Sequence, residues 1–139
     1  MIISLTNKDN NAKLWNLNNW EYILKLENIY NNDDLFSACL LKELNKYYII
    51  ISNLNFQGES QNMKIFALNG QQIKEINNSN DKIFIIDSNY VKNTFKNYIM
   101  AGSKNYVKSY DFNKNELYHK YDEKIKMVSK VFQLMNMIR

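Results

Sequence analysis

Few residues in this chain are of a type that makes or breaks bonds, and their spacing decides against most of the chemistry they suggest. His119 is the only histidine and Cys39 the only cysteine. A nucleophile activated by histidine would need His119 within hydrogen-bond reach, but it stands beside Tyr118 in an expected outer strand and reads as a surface or half-buried residue. One Cys and one His exclude a protein-only zinc site of the usual Cys/His type. Cys39, inside the apolar run Leu35 to Leu41, reads as a small core residue. The neighbouring acids Asp33-Asp34 and Asp122-Glu123 have the right groups for acid–base work, yet adjacent carboxylates between strands are ordinarily turn formers. Asp111 reads as the cap of its own hairpin. Gly58, Gly70 and Gly102 are the only glycines, and none precedes the Lys-Ser/Thr of a phosphate-binding loop. No catalytic residue, metal ligand or cofactor site is assigned, and a non-enzymatic role is expected.

The elements that carry these residues follow from composition. The chain has 139 residues, of which 45% are hydrophobic and 14% aromatic, enough for a packed core and unlike a disordered segment. Its net charge is +4. Nearly all the basic residues are lysine, with Arg139 the only arginine, asparagine is abundant and proline absent. That is the drift of an AT-rich genome, which scatters Lys and Asn over tolerant surfaces. Basic and acidic residues also alternate, as in Lys42-Glu43 and Lys74-Glu75, instead of forming the stripe of a nucleic-acid groove. A lone thiol forms no internal disulfide, and no Arg-rich or apolar leader follows Met1. No apolar run approaches the roughly 20 residues that cross a bilayer. A cytoplasmic, unexported protein without a membrane partner is expected.

Alternating short apolar segments and Asn/Asp/Lys turns predict strands almost throughout. The first group is Ile2 to Thr6, Ala12 to Leu17 and Glu21 to Leu26. The second is Leu35 to Leu41, Tyr47 to Asn53, Met63 to Leu68 and Gln72 to Ile76. Its Tyr47-Tyr48-Ile49-Ile50-Ile51 is continuously apolar, as befits a strand covered on both faces, and its last hairpin turns at Asn69-Gly70, a favoured type I′ dipeptide. The third group is Lys82 to Ser88, Asn97 to Ala101, Tyr106 to Phe112 and Glu116 to Lys120.

The groups repeat. Lys13-Leu14-Trp15-Asn16-Leu17, Lys64-Ile65-Phe66-Ala67-Leu68 and Lys108-Ser109-Tyr110-Asp111-Phe112 align with an aromatic at Trp15, Phe66 and Tyr110, at intervals of 51 and 44 residues. A four-stranded propeller blade takes about 40–45 residues, and a loop around Leu54 to Gln61 accounts for the longer interval. Trp15, Phe66 and Tyr110 are therefore expected in equivalent, largely buried positions, each filling the space between neighbouring blades.

Ala101-Gly102-Ser103-Lys104-Asn105-Tyr106-Val107-Lys108-Ser109-Tyr110-Asp111 resembles the second-to-third-strand hairpin of the WD-repeat family, with its small-Gly-Ser entry and aromatic-Asp exit. Lys13-Leu14-Trp15-Asn16-Leu17 is similar, with Asn16 in place of the family's Asp. Ala67 holds that position in the second group, and no Gly-His pair precedes any group, so the family's buried His, Ser/Thr, Asp and Trp network is incomplete. The resemblance spans about residues 2–121. It implies an all-β fold, a partial propeller of about three four-stranded antiparallel blades near 1–27, 33–77 and 81–121, the first lacking its innermost strand. It also implies a protein-binding scaffold that needs no cofactor.

Candidate contacts are Trp20 and Tyr22, at the start of the first group's outer strand, and Lys104 and Lys114, in loops of the third group. A second class of function is an RNA- or ribosome-associated module using the Lys-bearing loops. In the tail, 122–139, Ile125, Val128, Phe132 and Met135 fall at helical spacing, whereas the repeat would place the next blade's innermost strand there. Helix and strand both remain open. Because a ring closes with about four to eight blades, three leave two apolar blade faces uncovered, and self-association through them is expected.

Overall fold

The computed structural model describes residues 1–6, 9–30, 34–54, 61–78, 83, 85–92, 95–103 and 106–121. The tail 122–139 with its two expected conformations, Lys104, Asp33, Gly58 and the pair Asp122-Glu123 lie outside them. The described residues are all-β. Strands β1 (Ile2–Thr6), β2 (Asn11–Trp15) and β3 (Tyr22–Leu26) form a first sheet. A second contains β4 (Asp34–Glu43), β5 (Lys46–Leu54), β6 (Gln61–Ala67) and β7 (Gln72–Asn78). The third contains β8 (Ile85–Val91), β9 (Lys96–Gly102), β10 (Val107–Asp111) and β11 (Glu116–Tyr121). Each is an antiparallel meander in chain order, three strands and then twice four.

Several strand ends differ from the sequence reading by one or two residues, and β2 and β8 differ for local reasons. Strand β2 stops at Trp15, not Leu17, because Asn16 opens a turn there: its Oδ1 accepts the Asn18 N–H at 3.0 Å. Strand β8, Ile85–Val91, runs past the expected end at Ser88, while the expected start at Lys82 lies outside the described residues. Its register is fixed by the hairpin that pairs Val91 with Lys96, not by the apolar run around Ile83.

The sheets stack face to face, and the same side of each points toward the next. Ile3, Leu5, Ala12, Leu14, Leu24 and Leu26 of the first sheet meet Leu35, Ile49, Ile51 and Phe66 of the second. The other side of the second sheet, with Leu41, Ile50, Met63, Ile65 and Ile76, meets Ile83, Ile86, Ile99, Ala101, Tyr110 and Phe112. Strand β5 is thus covered on both faces, and Ile49, Ile50 and Ile51 are at most 1% exposed. Burying each such side chain contributes about 1.5–3 kcal/mol, which is why period-two alternation is lost there. Polar contacts join β4 to β8: Ser37 Oγ accepts the Ile86 N–H at 3.1 Å, and Ser88 Oγ donates to the Leu40 carbonyl at 2.7 Å.

The structural repeat is finer than the spacing. In each sheet the ladder to the last strand slips at one place: between Leu14 and Trp15, between Ile65 and Phe66, and between Ser109 and Tyr110. A bulge adds a residue to one strand and re-aims the side chain beside it. The three aromatics sit opposite Ile2, Ile49 and Ile99 on the preceding strand. Phe66 and Tyr110 are buried. Trp15 is only partly buried, because its face of the first sheet carries no further sheet among the described residues. Its indole N–H donates to Ser4 Oγ at 2.8 Å, and the Tyr22 ring lies edge-on at 6.2 Å. That face mixes Ser4, Lys13 and Lys25 with the half-exposed Ile2 and Ile23, so it is less apolar than an uncovered blade face was expected to be.

Candidate functional site

In an antiparallel meander, the first and third turns of a four-stranded sheet come to the same end. The β4–β5 and β6–β7 turns therefore share an end of the second sheet, and β8–β9 and β10–β11 an end of the third. Side chains tie these ends together. The Asn97 amide donates to the Lys42 carbonyl at 3.0 Å and to the Glu43 carboxylate, and the Asn113 amide reaches Glu43 at 3.1 Å. The Lys74 ammonium donates to the Phe112 carbonyl while lying 4.4 Å from the Phe112 ring centre. Burial lowers its pKa, opposed by Asp111 and Glu43. Gly70, at φ 85° in the β6–β7 turn, approaches Leu24 and Leu26 of the first sheet, and an added Cβ would stand 3.5 Å from Leu24.

The β2–β3 and β10–β11 turns are the same turn built twice. In one, the Trp20 N–H donates to the Asn16 carbonyl at 2.9 Å; in the other, Asn115 donates to Asp111 at 2.9 Å. Asn16 and Asp111 each cap the turn with a side-chain oxygen, Asp111 accepting the N–H groups of Asn113 at 3.0 Å and Lys114 at 3.1 Å. Each turn then ends on a left-handed residue, Trp20 at φ 59° and Asn115 at φ 60°. Asn tolerates that region, whereas a bulky side chain meets its own backbone there.

Two more turns repeat the anomaly. Leu44, at φ 54°, occupies the first central position of the β4–β5 turn, where positive φ favours glycine. Phe95, at φ 53°, closes the β8–β9 turn. Trp20, Leu44 and Phe95 are 72%, 87% and 80% exposed. Three large apolar side chains thus stand in strained backbone at hairpin tips and bury little in return. Beside Leu44 runs a groove of about 400 Å³ lined by Asn45, Lys46, Tyr47, Tyr48, Ala67, Leu68 and Ile73. Lys42, Lys46, Lys92 and Lys114 are exposed on or beside the turns. The acids Glu43, Asp111 and Glu21 are engaged by Asn97 and Asn113, by Lys96, and by Asn19, while Glu116 is exposed at the start of β11.

Of the residues singled out from sequence, Trp20 and Lys114 come to this end. Tyr22 is exposed beside Trp15 on the outward face of the first sheet. Leu44 and Phe95 were missed. The available signal was an apolar residue within a polar turn, Glu43-Leu44-Asn45-Lys46 and Thr94-Phe95-Lys96.

The outward face of the third sheet carries a second concave surface. Tyr98, Met100 and Val107 form a small buried cluster there with Val91 and Tyr121 packed on it. A cleft of about 170 Å³ is lined by Asn89, Val91, Tyr98, Met100, Ser109, Tyr118 and Tyr121.

The remaining chemical groups are dispersed. Burial, with Asp87 adding to it, pushes the Cys39 thiol up and keeps it protonated. His119 is exposed on β11, its ring 4.3 Å from Tyr121. Asp34 is exposed at the start of β4. Among the described residues no three His, Cys, Asp or Glu side chains cluster as metal ligands do, and no helix is long and apolar enough to cross a membrane.

Asp111 has a structural role with a pH signature. Burial works against its carboxylate, but the Lys114 N–H, the Lys96 ammonium at 3.0 Å and the Asn113 N–H outweigh burial and hold its pKa below the ordinary 3.8. A carboxyl whose pKa is depressed on folding contributes stability above its unfolded pKa and loses it as pH falls through the folded value. Asp111→Asn keeps the capping oxygen, as Asn16 does in the first sheet, and loses the charge. Its stability deficit against the parent should be constant near neutrality and shrink below about pH 4. Urea titrations of both proteins from neutral to acid pH measure this, and a deficit that is unchanged in acid would exclude a linked Asp111.

No protein-family model matches the chain, and no curated protein matches it.

Proposed function

We propose that this chain is a non-catalytic protein-interaction scaffold of WD-repeat type, its three sheets serving as successive blades of a propeller in an intracellular protein. The observation that carries this reading is the threefold construction. Bulge and aromatic recur in register in all three sheets, the following turn recurs in the first and third, and each sheet turns the same face toward the next. Such an array holds its turns rigidly while their sequences vary freely, which is how repeat scaffolds present contacts.

On this reading the outward face of the third sheet is the surface a further blade or a second molecule covers. Three blades fall short of the roughly four to eight that close a ring, and the exposed Tyr118 ring at the rim of this cleft, whose Tyr98 and Met100 floor is buried, is where a partner would meet the face. Light scattering on residues 1–139 should give at least twice the chain mass of 16.6 kDa. Tyr118→Glu, at the half-exposed ring tilted 46° to Tyr98 with centres 4.7 Å apart, should shift the population toward monomer. A monodisperse monomer with one sharp unfolding transition would sink the open-propeller reading.

The exposed lysines at the turns favour one second reading, an RNA- or ribosome-associated module. Phosphate binding weakens steeply with salt because counterions are released, whereas apolar protein contacts hold. Affinity for a structured RNA that falls steeply with salt would replace the scaffold reading.

A further inference from the structure

Resting on the scaffold reading, we infer that the hairpin-tip end is its docking face and that the partner is a protein segment both acidic and studded with apolar anchors. The turn built twice supplies the first argument. Asn115 shows what the backbone needs at that position, and Trp20 shows a residue the backbone disfavours. Asparagine is abundant throughout the chain, so the tolerated residue was readily available. Trp20, Leu44 and Phe95 nevertheless hold three left-handed positions at the same end, nearly all of their surface in water. Strain that the fold itself does not use gathers where binding uses it.

Charge and shape identify the occupant. Lys42, Lys46, Lys92 and Lys114 are exposed on or next to these turns and Lys74 and Lys96 lie among them, six cations against the four carboxylates of Glu21, Glu43, Asp111 and Glu116. The face is left net positive and complements an acidic ligand. Leu44 is a knob beside a groove floored by Tyr47, Tyr48, Ala67 and Leu68. A protrusion next to a cavity fits a shaped partner with side chains of its own, in the manner of anchor residues seated in pockets. The fluid plane of a bilayer would use the tips and leave the groove empty.

The test is selection of a displayed library of random short peptides against the immobilised full chain. The expected winners combine Asp or Glu with aromatic or leucine side chains. Replacing Trp20, Leu44 and Phe95 together by asparagine should weaken them about tenfold or more, with no loss of melting temperature, since asparagine suits the backbone. Charge reversal at Lys46 and Lys92 alters no left-handed residue and should weaken the same peptides. Winners that bind the tip variant as well as the parent would overturn this face while leaving the scaffold reading intact, as would basic winners. Failure to enrich any peptide would remove the scaffold reading along with it. Vesicles of phosphatidylcholine and phosphatidylserine that bind the parent and not the tip variant would make this a lipid-binding end and overturn the protein partner.

Discussion

Removing one hydroxyl, in Tyr30→Phe, should destabilise the protein by about 2–3 kcal/mol, the cost of leaving buried backbone groups unpaired. Tyr30 lies in the connection between β3 and β4 and is 6% exposed. Its hydroxyl oxygen is 2.9 Å from the Ile51 carbonyl and 2.8 Å from the Asn62 carbonyl, and it accepts the Lys64 N–H at 3.1 Å. With one proton to give, it serves both carbonyls through a shared or alternating bond. The position is where β5 and β6 part: their described pairing ends at Ser52 and Met63. The hydroxyl occupies the point at which the ladder would otherwise stop unsatisfied. The ring also lies 4.5 Å from the Lys64 ammonium, which donates to the Ile29 carbonyl at 2.7 Å. Tyr30→Ala should therefore cost more, about 4–5 kcal/mol, from a cavity added to the lost bonds. Thermal unfolding at fixed protein concentration should place Tyr30→Phe roughly 8 °C below the parent. Tyr22→Phe, at an exposed ring, should match the parent. A Tyr30→Phe midpoint indistinguishable from the parent would show that the hydroxyl joins nothing of consequence.

Substitution at the tips should act in the opposite direction. Trp20→Asn, Leu44→Asn and Phe95→Asn should each stabilise by about 0.5–1 kcal/mol, because a bulky residue in left-handed backbone costs about 1–2 kcal/mol and asparagine costs less. The three lie on different turns, so the gains should add to about 2 kcal/mol and raise the midpoint by several degrees. The reverse change, Asn115→Trp, should lose a similar amount in the matching turn. Surface substitutions elsewhere ordinarily stay within about 0.5 kcal/mol, so a combined gain of this size separates strain relief from generic surface change. If the triple variant melts below the parent, these side chains make stabilising contacts, and their placement has a structural cause.

Much of the architecture was legible in the residue order. Alternation and turn residues gave three strands and then two groups of four, matching the sheets. The continuous apolar run at Tyr47 to Ile51 marked the strand buried on both sides. Recurrence of Trp15, Phe66 and Tyr110 located the repeat, since these positions sit beside the same bulge in each sheet. These features are local, set by side-chain period and turn preference along a few consecutive residues.

What the chain order could not convey depends on contacts between distant segments and on backbone angles that residue type conceals. Nothing near Tyr30 marks it as the group that closes the β5–β6 ladder, because its partners Asn62 and Lys64 lie more than thirty residues on. Asn97 and Asn113 meet Glu43 only once the second and third sheets stack. Positive φ can be anticipated at glycine or asparagine, and so Gly70 could be placed in a turn; at Leu44 and Phe95 the side chain argues against it. Trp15 matches Phe66 and Tyr110 by sequence, yet it keeps part of its ring in solvent because burial depends on the sheet that faces it. The residue order determined the strands and their repetition, through local periodicity. Tertiary stacking decided which faces are covered and gathered the hairpin tips at one end, because both depend on how whole sheets meet.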